Sequence, residues 1–222
     1  MTMNLFSIFD PSTLHFVNNW VSIFIWIFLV PSTFWVLTSR LNSILVLFIK
    51  YIYSEFKPLL LKSSFTLLVS VSIFFFVLSN NILGLFPYIF CGSSHMSFTL
   101  SLGLMAWLSL MFYGWVHNYK NILIHLIPEG TSTGLMPFMV VVETISNIIR
   151  PITLSIRLCA NMIAGHLLIS LLSTSLINSS SLMFVMLALG EVSLLILEIA
   201  VAFIQAYVFS MLLTLYTSEL SS

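Results

Sequence analysis

The chain has 222 residues, of which 59% are hydrophobic and 6% are charged, with a formal net charge of zero and a mean hydropathy of +1.12. Soluble domains carry about 25% charged residues, so this composition excludes a soluble domain and indicates a polytopic membrane protein. Lys and Arg together number only 7. No basic surface is available to follow a nucleic acid, and nucleic-acid binding is excluded as a function.

The N-terminal part of the chain predicts one membrane span followed by a helix on the membrane surface. Residues 14–37 form an apolar run long enough to cross about 30 Å of hydrocarbon. In residues 40–59, Arg40, Lys50 and Lys57 share one arc, and large apolar side chains fill the opposite side. This pattern favours an amphipathic surface helix. A short transmembrane helix is the alternative, and three basic residues on one face disfavour it.

Two plainer apolar runs, residues 65–86 and 96–116, predict a transmembrane hairpin because Gly and Pro punctuate the segment between them. Positive residues lie before and after this hairpin and predict an N-terminus on the trans side of the membrane. These residues are Arg40, Lys50, Lys57, Lys62 and Lys120. The first ten residues lack the pattern of a signal or transit peptide, so no cleaved presequence is expected.

The C-terminal part predicts two long helices, residues 135–173 and 182–217, joined by a polar turn over 174–181. The first would extend roughly 58 Å, about twice the hydrocarbon thickness. Pro151 has no loop residues around it, which favours a bent, strongly tilted helix over two perpendicular ones. The predicted fold class is all-α: a polytopic membrane protein with one amphipathic surface helix, transmembrane helices and a long tilted helical hairpin.

Charged and polar residues recur every seven residues on both long helices, so each set forms one stripe. The first helix carries Glu143, Arg150 and Arg157, and the second carries Glu191, Glu198 and Gln205. An arginine at the bilayer centre costs at least about 2.5–3.5 kcal/mol, so such a helix must face protein or water. Opposed stripes of Arg and Glu indicate ion movement through the membrane.

Two of these polar residues have alternative interpretations. Arg150 is seven residues from Glu143, so a structural ion pair is as reasonable for it as a functional role. His166 lies about 180° around the helix from Arg157. With Glu198 on the facing helix a proton relay is favoured for His166, and a hydrogen-bonded structural histidine is the alternative.

Other function classes fit the sequence less well. A proton-coupled transporter or redox-pump subunit is the main alternative, but no internal repeat suggests two inverted halves. A structural membrane anchor would lack aligned charges within its spans. Cys91 and Cys159 have no metal-site spacing and are interpreted as inert thiols. No metal and no cofactor are expected.

Four motifs closely resemble subunit a of the mitochondrial F-type ATP synthase. The two most specific are RLCANMIAGHLL at residues 157–168 and LEIAVAFIQAYVF at residues 197–209. The others are NILGLFPY at residues 81–88 and HLIPEGT at residues 125–131. The resemblance therefore covers nearly the whole chain. Cys159 and Glu129 are unusual within these motifs.

The resemblance implies a non-catalytic stator subunit that translocates protons through two offset half-channels and couples their flow to rotation of a ring of c subunits. It implies a multi-pass protein of the mitochondrial inner membrane, mitochondrially encoded, with its N-terminus in the intermembrane space and its C-terminus in the matrix. The implied partners are the c-ring, the peripheral-stalk subunit b, subunit 8, other membrane-sector subunits, lipid and protons.

The resemblance also implies roles for single residues. Arg157 is the essential arginine facing a ring carboxylate. Four residues line the intermembrane-space half-channel, namely Asn161, His166, Glu198 and Gln205. Glu143 lines the matrix half-channel, with Glu219 as a weaker candidate. Arg150 and Glu191 depart from the family pattern and are secondary candidates without an assigned role.

Overall fold

The computed structural model describes residues 9–12, 19–29, 39–59, 64–86, 89–117, 119, 123–124, 126–127, 134–177 and 179–221. Within these ranges the chain forms α-helices and short 3-10 helices and contains no strand, which confirms the all-α prediction. The α-helices are α1 (Ile25–Leu29), α2 (Arg40–Phe56), α3 (Ser64–Gly84), α4 (Met96–His117), α5 (Met136–Ile177) and α6 (Ser181–Ser221).

Four of the described helices, α3 to α6, are long and apolar enough to cross a membrane. The first expected span, residues 14–37, is described only in part. A 3-10 helix at Asn19–Phe24 leads into α1 there, and the other residues of the span lie outside the described ranges. The Ser22 hydroxyl donates to the carbonyl of Phe90, 2.9 Å away, and so attaches this segment to the α3–α4 connection.

Helix α2 begins at a side-chain cap and presents two different faces. The Ser39 hydroxyl accepts a hydrogen bond from the backbone N–H of Asn42 at 3.3 Å, which satisfies one of the free donors of the first turn. Ile52 and Phe56 are buried in the core, whereas Lys50 and Lys57 are exposed. The helix is therefore amphipathic, with part of its apolar face used for packing against the bundle.

The core of the bundle lies between α3 and the two long helices. Phe56 of α2 stacks on Tyr207 of α6, with ring centroids 6.0 Å apart. A methyl group on Gly103 of α4 would lie 3.4 Å from the carbonyl oxygen of Pro151, so α4 and α5 approach closely at the proline. The core residues are Ile52, Phe56, Leu67, Val71, Phe74, Val77, Leu78, Leu158 and Ala206.

Helix α5 is continuous through Pro151 for 42 residues, which corresponds to roughly 63 Å at 1.5 Å per residue. The alternative of two perpendicular helices that meet at the proline is therefore excluded. The helix also continues through residues 174–177, which the sequence assigned to the turn. The hydroxyls of Thr174 and Ser175 donate to the carbonyls of Leu171 and Leu172. These polar side chains are thus satisfied inside the helix, and the connection shortens to residues 178–180.

The segment between α3 and α4 is anchored on α5. The thiol of Cys159 donates to the carbonyl of Ser94 at 2.8 Å. Cys91 and Cys159 are both buried and both free. Burial raises the pKa of the Cys91 thiol in this connection, so the thiol stays protonated and poorly nucleophilic at neutral pH.

Candidate functional site

The polar residues of α5 and α6 form two separate sites, one on either side of Arg157 along the hairpin. Gly165 of α5 lies against Glu198 of α6. Arg150, fifteen residues earlier on α5, lies against Tyr216, eighteen residues later on α6. The two helices are therefore antiparallel, and Arg157 falls between these two contacts.

Arg157 is exposed on the surface of the hairpin. Its neighbours Ser155, Leu158 and Cys159 are buried and define the opposite, inward face of α5. Within the described part of the chain, the guanidinium group has no ion-pair or hydrogen-bond partner. Because an uncompensated arginine is costly in a membrane, this exposed cation is suited to a negative group supplied by another molecule.

The first polar site is built around Glu198, which is only 4% exposed. Neither carboxylate oxygen has a hydrogen-bond partner among the described residues. The side chain rests on the α5 backbone at Gly165, where a methyl group would overlap the carboxylate oxygen Oε1 and would lie 2.7 Å from Cδ. The absence of a side chain at Gly165 therefore creates the space for the carboxylate.

A cavity of about 220 Å³ adjoins this carboxylate between α5 and α6. A buried water needs only about 10–15 Å³, so the cavity has room for several water molecules. A carboxyl group at the wall of such a cavity can take up, hold and release a proton, and the carboxamide of Asn161 can hydrogen-bond a water molecule there. The lining residues are Asn161, Ala164, Gly165, Leu168, Ile169, Leu194, Leu197, Glu198 and Val201.

His166 follows Gly165 directly, but its imidazole is not hydrogen-bonded to Glu198. Its Nε2 atom is buried and has no partner among the described residues, and the same holds for both Glu198 oxygens. The ring of Phe9 lies edge-on to the imidazole, with centroids 6.4 Å apart and an interplanar angle of 80°. The N-terminal segment therefore covers His166, while Glu198 approaches the neighbouring glycine.

The second polar site is centred on Arg150. Its Nη2 atom lies 3.7 Å from Oε1 of Glu143, so the intrahelical pair that the sequence left open is present. The guanidinium carbon lies 5.3 Å from the centroid of the Tyr216 ring, which adds a cation–π contact between the two helices. Arg150 thus differs from Arg157 because its charge is compensated inside the chain.

Comparison with known proteins agrees with this architecture. The family model described as ATP synthase A chain matches residues 13–218. The chain belongs to the ATP synthase A chain family. It is 50% identical to ATP synthase subunit a of Locusta migratoria over 99% of each chain. It is 47% identical to the subunits a of Drosophila melanogaster and Anopheles gambiae over 100% of each chain.

Membership of the ATP synthase A chain family confirms the resemblance that the motifs indicated. The chain is a membrane-sector subunit concerned with proton transport and is not a catalytic subunit. The described residues contain no group of three His, Cys, Asp or Glu side chains that could hold a metal ion.

The structure places three of the remaining predicted residues, Asn161, Gln205 and Glu191, on α5 and α6. Asn161 lines the cavity beside Glu198. Gln205 and Glu191 are half-buried on α6, each seven residues from Glu198. The side chain of Glu219 lies outside the described residues. The seven-residue spacing places Glu191, Glu198 and Gln205 along one face of α6, and Glu198 contacts α5 at Gly165.

Two residues of the site received no role from the sequence. The contact between Tyr216 and Arg150 depends on how α5 and α6 are aligned. No local sequence pattern predicts that alignment. The close packing at Gly165 could have been predicted from the sequence. Glycine inside a helix costs about 1 kcal/mol relative to alanine and often marks a position where another element packs closely against the helix.

Gly165→Ala is expected to lower proton-driven ATP synthesis about tenfold or more, because misplacing a reacting group by about 1 Å can cost a hundredfold. The clash is with the flexible end of Glu198, so the carboxylate moves and the helix remains intact. The measurement is ATP synthesis per assembled complex. Gly190→Ala on α6 is the control, because a methyl group there meets no atom within 4 Å. Equal rates in the two variants would contradict the assigned role of Gly165.

Proposed function

We propose that the chain forms two offset proton half-channels against a rotating ring of c subunits and thereby couples proton flow to ATP synthesis. The observation that carries the proposal is the position of Arg157, an exposed and unpartnered cation between two polar sites of the described hairpin. A ring carboxylate that has lost its proton is attracted to this cation. Opposite charges 4 Å apart attract by about 4 kcal/mol at an effective dielectric constant of about 20.

The intermembrane-space half-channel uses the cavity at Glu198. Glu198 holds the proton, and Asn161 at the cavity wall orients the water that delivers it. His166 and Gln205 extend the polar path along α5 and α6. Glu198 lies near Gly165, eight residues from Arg157 or about 12 Å along the helix, so the cation does not repel the arriving proton directly.

The matrix half-channel reaches the ring on the other side of Arg157, beside the Glu143–Arg150 pair. The two half-channels are therefore separated along α5 by the cation. A proton crosses the membrane only by riding on the ring carboxylate through a nearly full rotation. This separation is the physical basis of coupling, because a direct path between the half-channels would dissipate the proton gradient.

The proposed setting is the mitochondrial inner membrane, with the N-terminus in the intermembrane space and the C-terminus in the matrix. The positive residues around α2 support this orientation. The proposed partners are the c-ring at the exposed face of α5, peripheral-stalk subunit b, subunit 8, other membrane-sector subunits and lipid. The same proposal includes that the gene for this chain lies in the mitochondrial genome.

Side-specific labelling tests the half-channels and the orientation together. In Asn161→Cys the new thiol is expected to react with a membrane-impermeant thiol reagent added from the intermembrane side. In Asn147→Cys and Lys50→Cys it is expected to react from the matrix side. Asn147 follows Glu143 by one helical turn, and Lys50 is exposed on α2.

The unsubstituted chain is the control for this labelling, because its two thiols are buried and should react slowly. If the thiols at positions 161 and 147 react from the same side of the membrane, the proposal of two half-channels is wrong. Reaction of position 50 from the intermembrane side would instead reverse the orientation of the whole chain.

A further inference from the structure

Helix α6 carries a second acidic side chain, Glu191, on the same face as Glu198. Glu191 and Leu194 are half-buried, whereas Val192 and Ser193 between them are exposed. Residues three, four and seven apart share one side of a helix. Leu194 and Glu198 both line the cavity between α5 and α6, so Glu191 lies on the side of α6 that faces α5.

Glu191 lies between Glu198 and the end of the hairpin at residues 178–180. Helix α6 begins at Ser181, so Glu191 is about 15 Å and Glu198 about 26 Å from that end at 1.5 Å per residue. Since Glu198 lies against Gly165 and the helices are antiparallel, Glu191 comes opposite α5 near Ser173. In the proposed orientation this end of the hairpin is directed to the intermembrane space. Water from that side therefore meets Glu191 before Glu198.

No basic residue of the hairpin is placed to form a structural ion pair with Glu191. Residues 158–222 contain no Lys or Arg, and the height of Arg157 on the hairpin is about 22 Å from that of Glu191. Among the described residues, the Glu191 carboxylate has no ion-pair or hydrogen-bond partner. An ionisable side chain inside a membrane helix is costly and indicates a functional position unless it is paired.

The titratable groups in the described segments that contact this half of the hairpin include no permanent cation. Glu191 can therefore bind and release a proton without breaking an ion pair. These groups are His166 and Cys159 on α5, Glu198 on α6, Cys91 and His95 in the α3–α4 connection, and Asp10 beside Phe9 in the N-terminal segment.

We propose that Glu191 is the entrance carboxylate of the intermembrane-space half-channel, which collects protons and passes them through water to Glu198. The inference rests on the proposed function and deepens it, because it adds a residue to one of the two half-channels. Glu191 departs from the family pattern, so the family resemblance assigns it no role. A negative charge in a cleft raises the local concentration of cations and their arrival rate by about tenfold or more.

The transfer from Glu191 to Glu198 uses water, because seven residues, or about 10.5 Å along α6, separate the two side chains. The cavity of about 220 Å³ at Glu198 has room for several water molecules. Protonated Glu191 gives its proton to the first water, and the last water gives a proton to the Glu198 carboxylate. Glu191 then takes a new proton from intermembrane water, so the water chain is left unchanged.

Ser173 offers a polar group at the height of Glu191. Its side chain is half-buried, and its hydroxyl donates to the carbonyl of Ser170 at 2.9 Å. Because the hydroxyl proton is used in this bond, the oxygen of Ser173 has lone pairs left to accept a hydrogen bond from water. Water that enters between the helices can therefore be held between Ser173 and Glu191.

The entrance role is tested by the dependence of ATP synthesis on the proton concentration at the intermembrane side. Synthesis is measured per assembled complex at a fixed membrane potential and matrix pH. Glu191→Gln keeps the size of the side chain but cannot carry a proton. It is expected to raise the half-saturating proton concentration about tenfold, the lower end of the effect of local charge. The maximal rate should change little, because Glu198 and Arg157 are intact.

Two further variants separate proton collection from packing. Glu191→Asp retains a carboxyl group and is expected to restore most of the normal proton dependence. Glu55→Gln is the matched control, because it makes the same substitution at an exposed position of α2, and it should behave like the parent chain.

The inference is overturned if Glu191→Gln has no effect, if its loss is equal at every proton concentration, or if Glu191→Asp loses as much. Glu191 would then be a residue without a role in proton entry. Labelling of Asn161→Cys tests the half-channel itself, so the half-channel can stand when the entrance role fails.

A measurement on the unsubstituted chain covers the case in which Glu191→Gln prevents assembly. A permanently charged, water-soluble carbodiimide is added with an amine at the intermembrane side of the assembled complex, and the amides formed are located by mass spectrometry. Glu191 is expected to react faster than Glu198, because it is half-buried whereas Glu198 is only 4% exposed. Slower reaction of Glu191 than of Glu198, or reaction of Glu191 only from the matrix side, would overturn the inference.

Discussion

Replacing Arg157 by alanine is expected to lower proton-driven ATP synthesis at least about a hundredfold, the scale of loss when a key electrostatic partner is removed. In the proposed function, the ring carboxylate then has no fixed partner between the two half-channels. Protons can then pass without a full rotation, so passive proton leak through the membrane sector should rise. Synthesis and leak are both measured on membranes with equal amounts of assembled complex.

Arg150→Gln is the matched control for this substitution. It removes the same type of side chain from the same stripe of α5, seven residues away. Because Arg150 is paired with Glu143 inside the chain, its loss should leave most of the synthesis and cause little leak. Retained synthesis in Arg157→Ala, or equal losses in the two variants, would refute the role proposed for Arg157.

Long apolar runs and heptad stripes were enough to predict most of the hairpin. Hydrophobicity fixes which segments are buried in a membrane, and backbone hydrogen bonding inside lipid requires helices there. The sequence also indicated that Arg157 must meet another charge, since an arginine in such a helix needs a partner. Arg157 is exposed on the described hairpin, and the partner charge stays a prediction.

The ends of the long helices were harder to predict, because the polar residues there do not interrupt the helix. Thr174 and Ser175 satisfy their hydroxyls on carbonyls of the preceding turn. Ser218 does the same near the end of α6, with a hydrogen bond of 2.7 Å to Leu215. A run of Ser and Thr therefore does not by itself fix where a helix ends.

Contacts between distant parts of the chain could not be predicted from the sequence. The Phe9–His166 contact joins the N-terminal segment to α5, and the Arg150–Tyr216 contact depends on how α5 and α6 are aligned. Periodicity assigns each residue to a face of its own helix but not to a height on its neighbour. The sequence placed His166 and Glu198 opposite one another, whereas Glu198 contacts Gly165 and makes no hydrogen bond to His166.

His166→Glu and Glu198→His are each expected to slow proton uptake from the intermembrane side about tenfold, and the double exchange should recover a substantial part of the loss. A titrating imidazole and a carboxyl group can pass a proton between them. Glu198 lines a cavity with room for water, and His166 directly follows Gly165, which Glu198 contacts. The proposed transfer therefore needs no direct hydrogen bond between the two side chains. His166 also lies about 180° around α5 from Arg157, so the cation does not oppose protonation there.

Non-additivity is the property that decides whether His166 and Glu198 act together. The comparison uses proton-driven ATP synthesis at several values of intermembrane pH, with each variant normalised to assembled complex. If the pair functions as a unit, the double exchange contains the same two groups in reversed positions and is faster than either single variant. If the two single losses multiply in the double variant, the residues act independently. His166 would then be a structural histidine packed against Phe9, and Glu198 alone would hold the proton at the cavity.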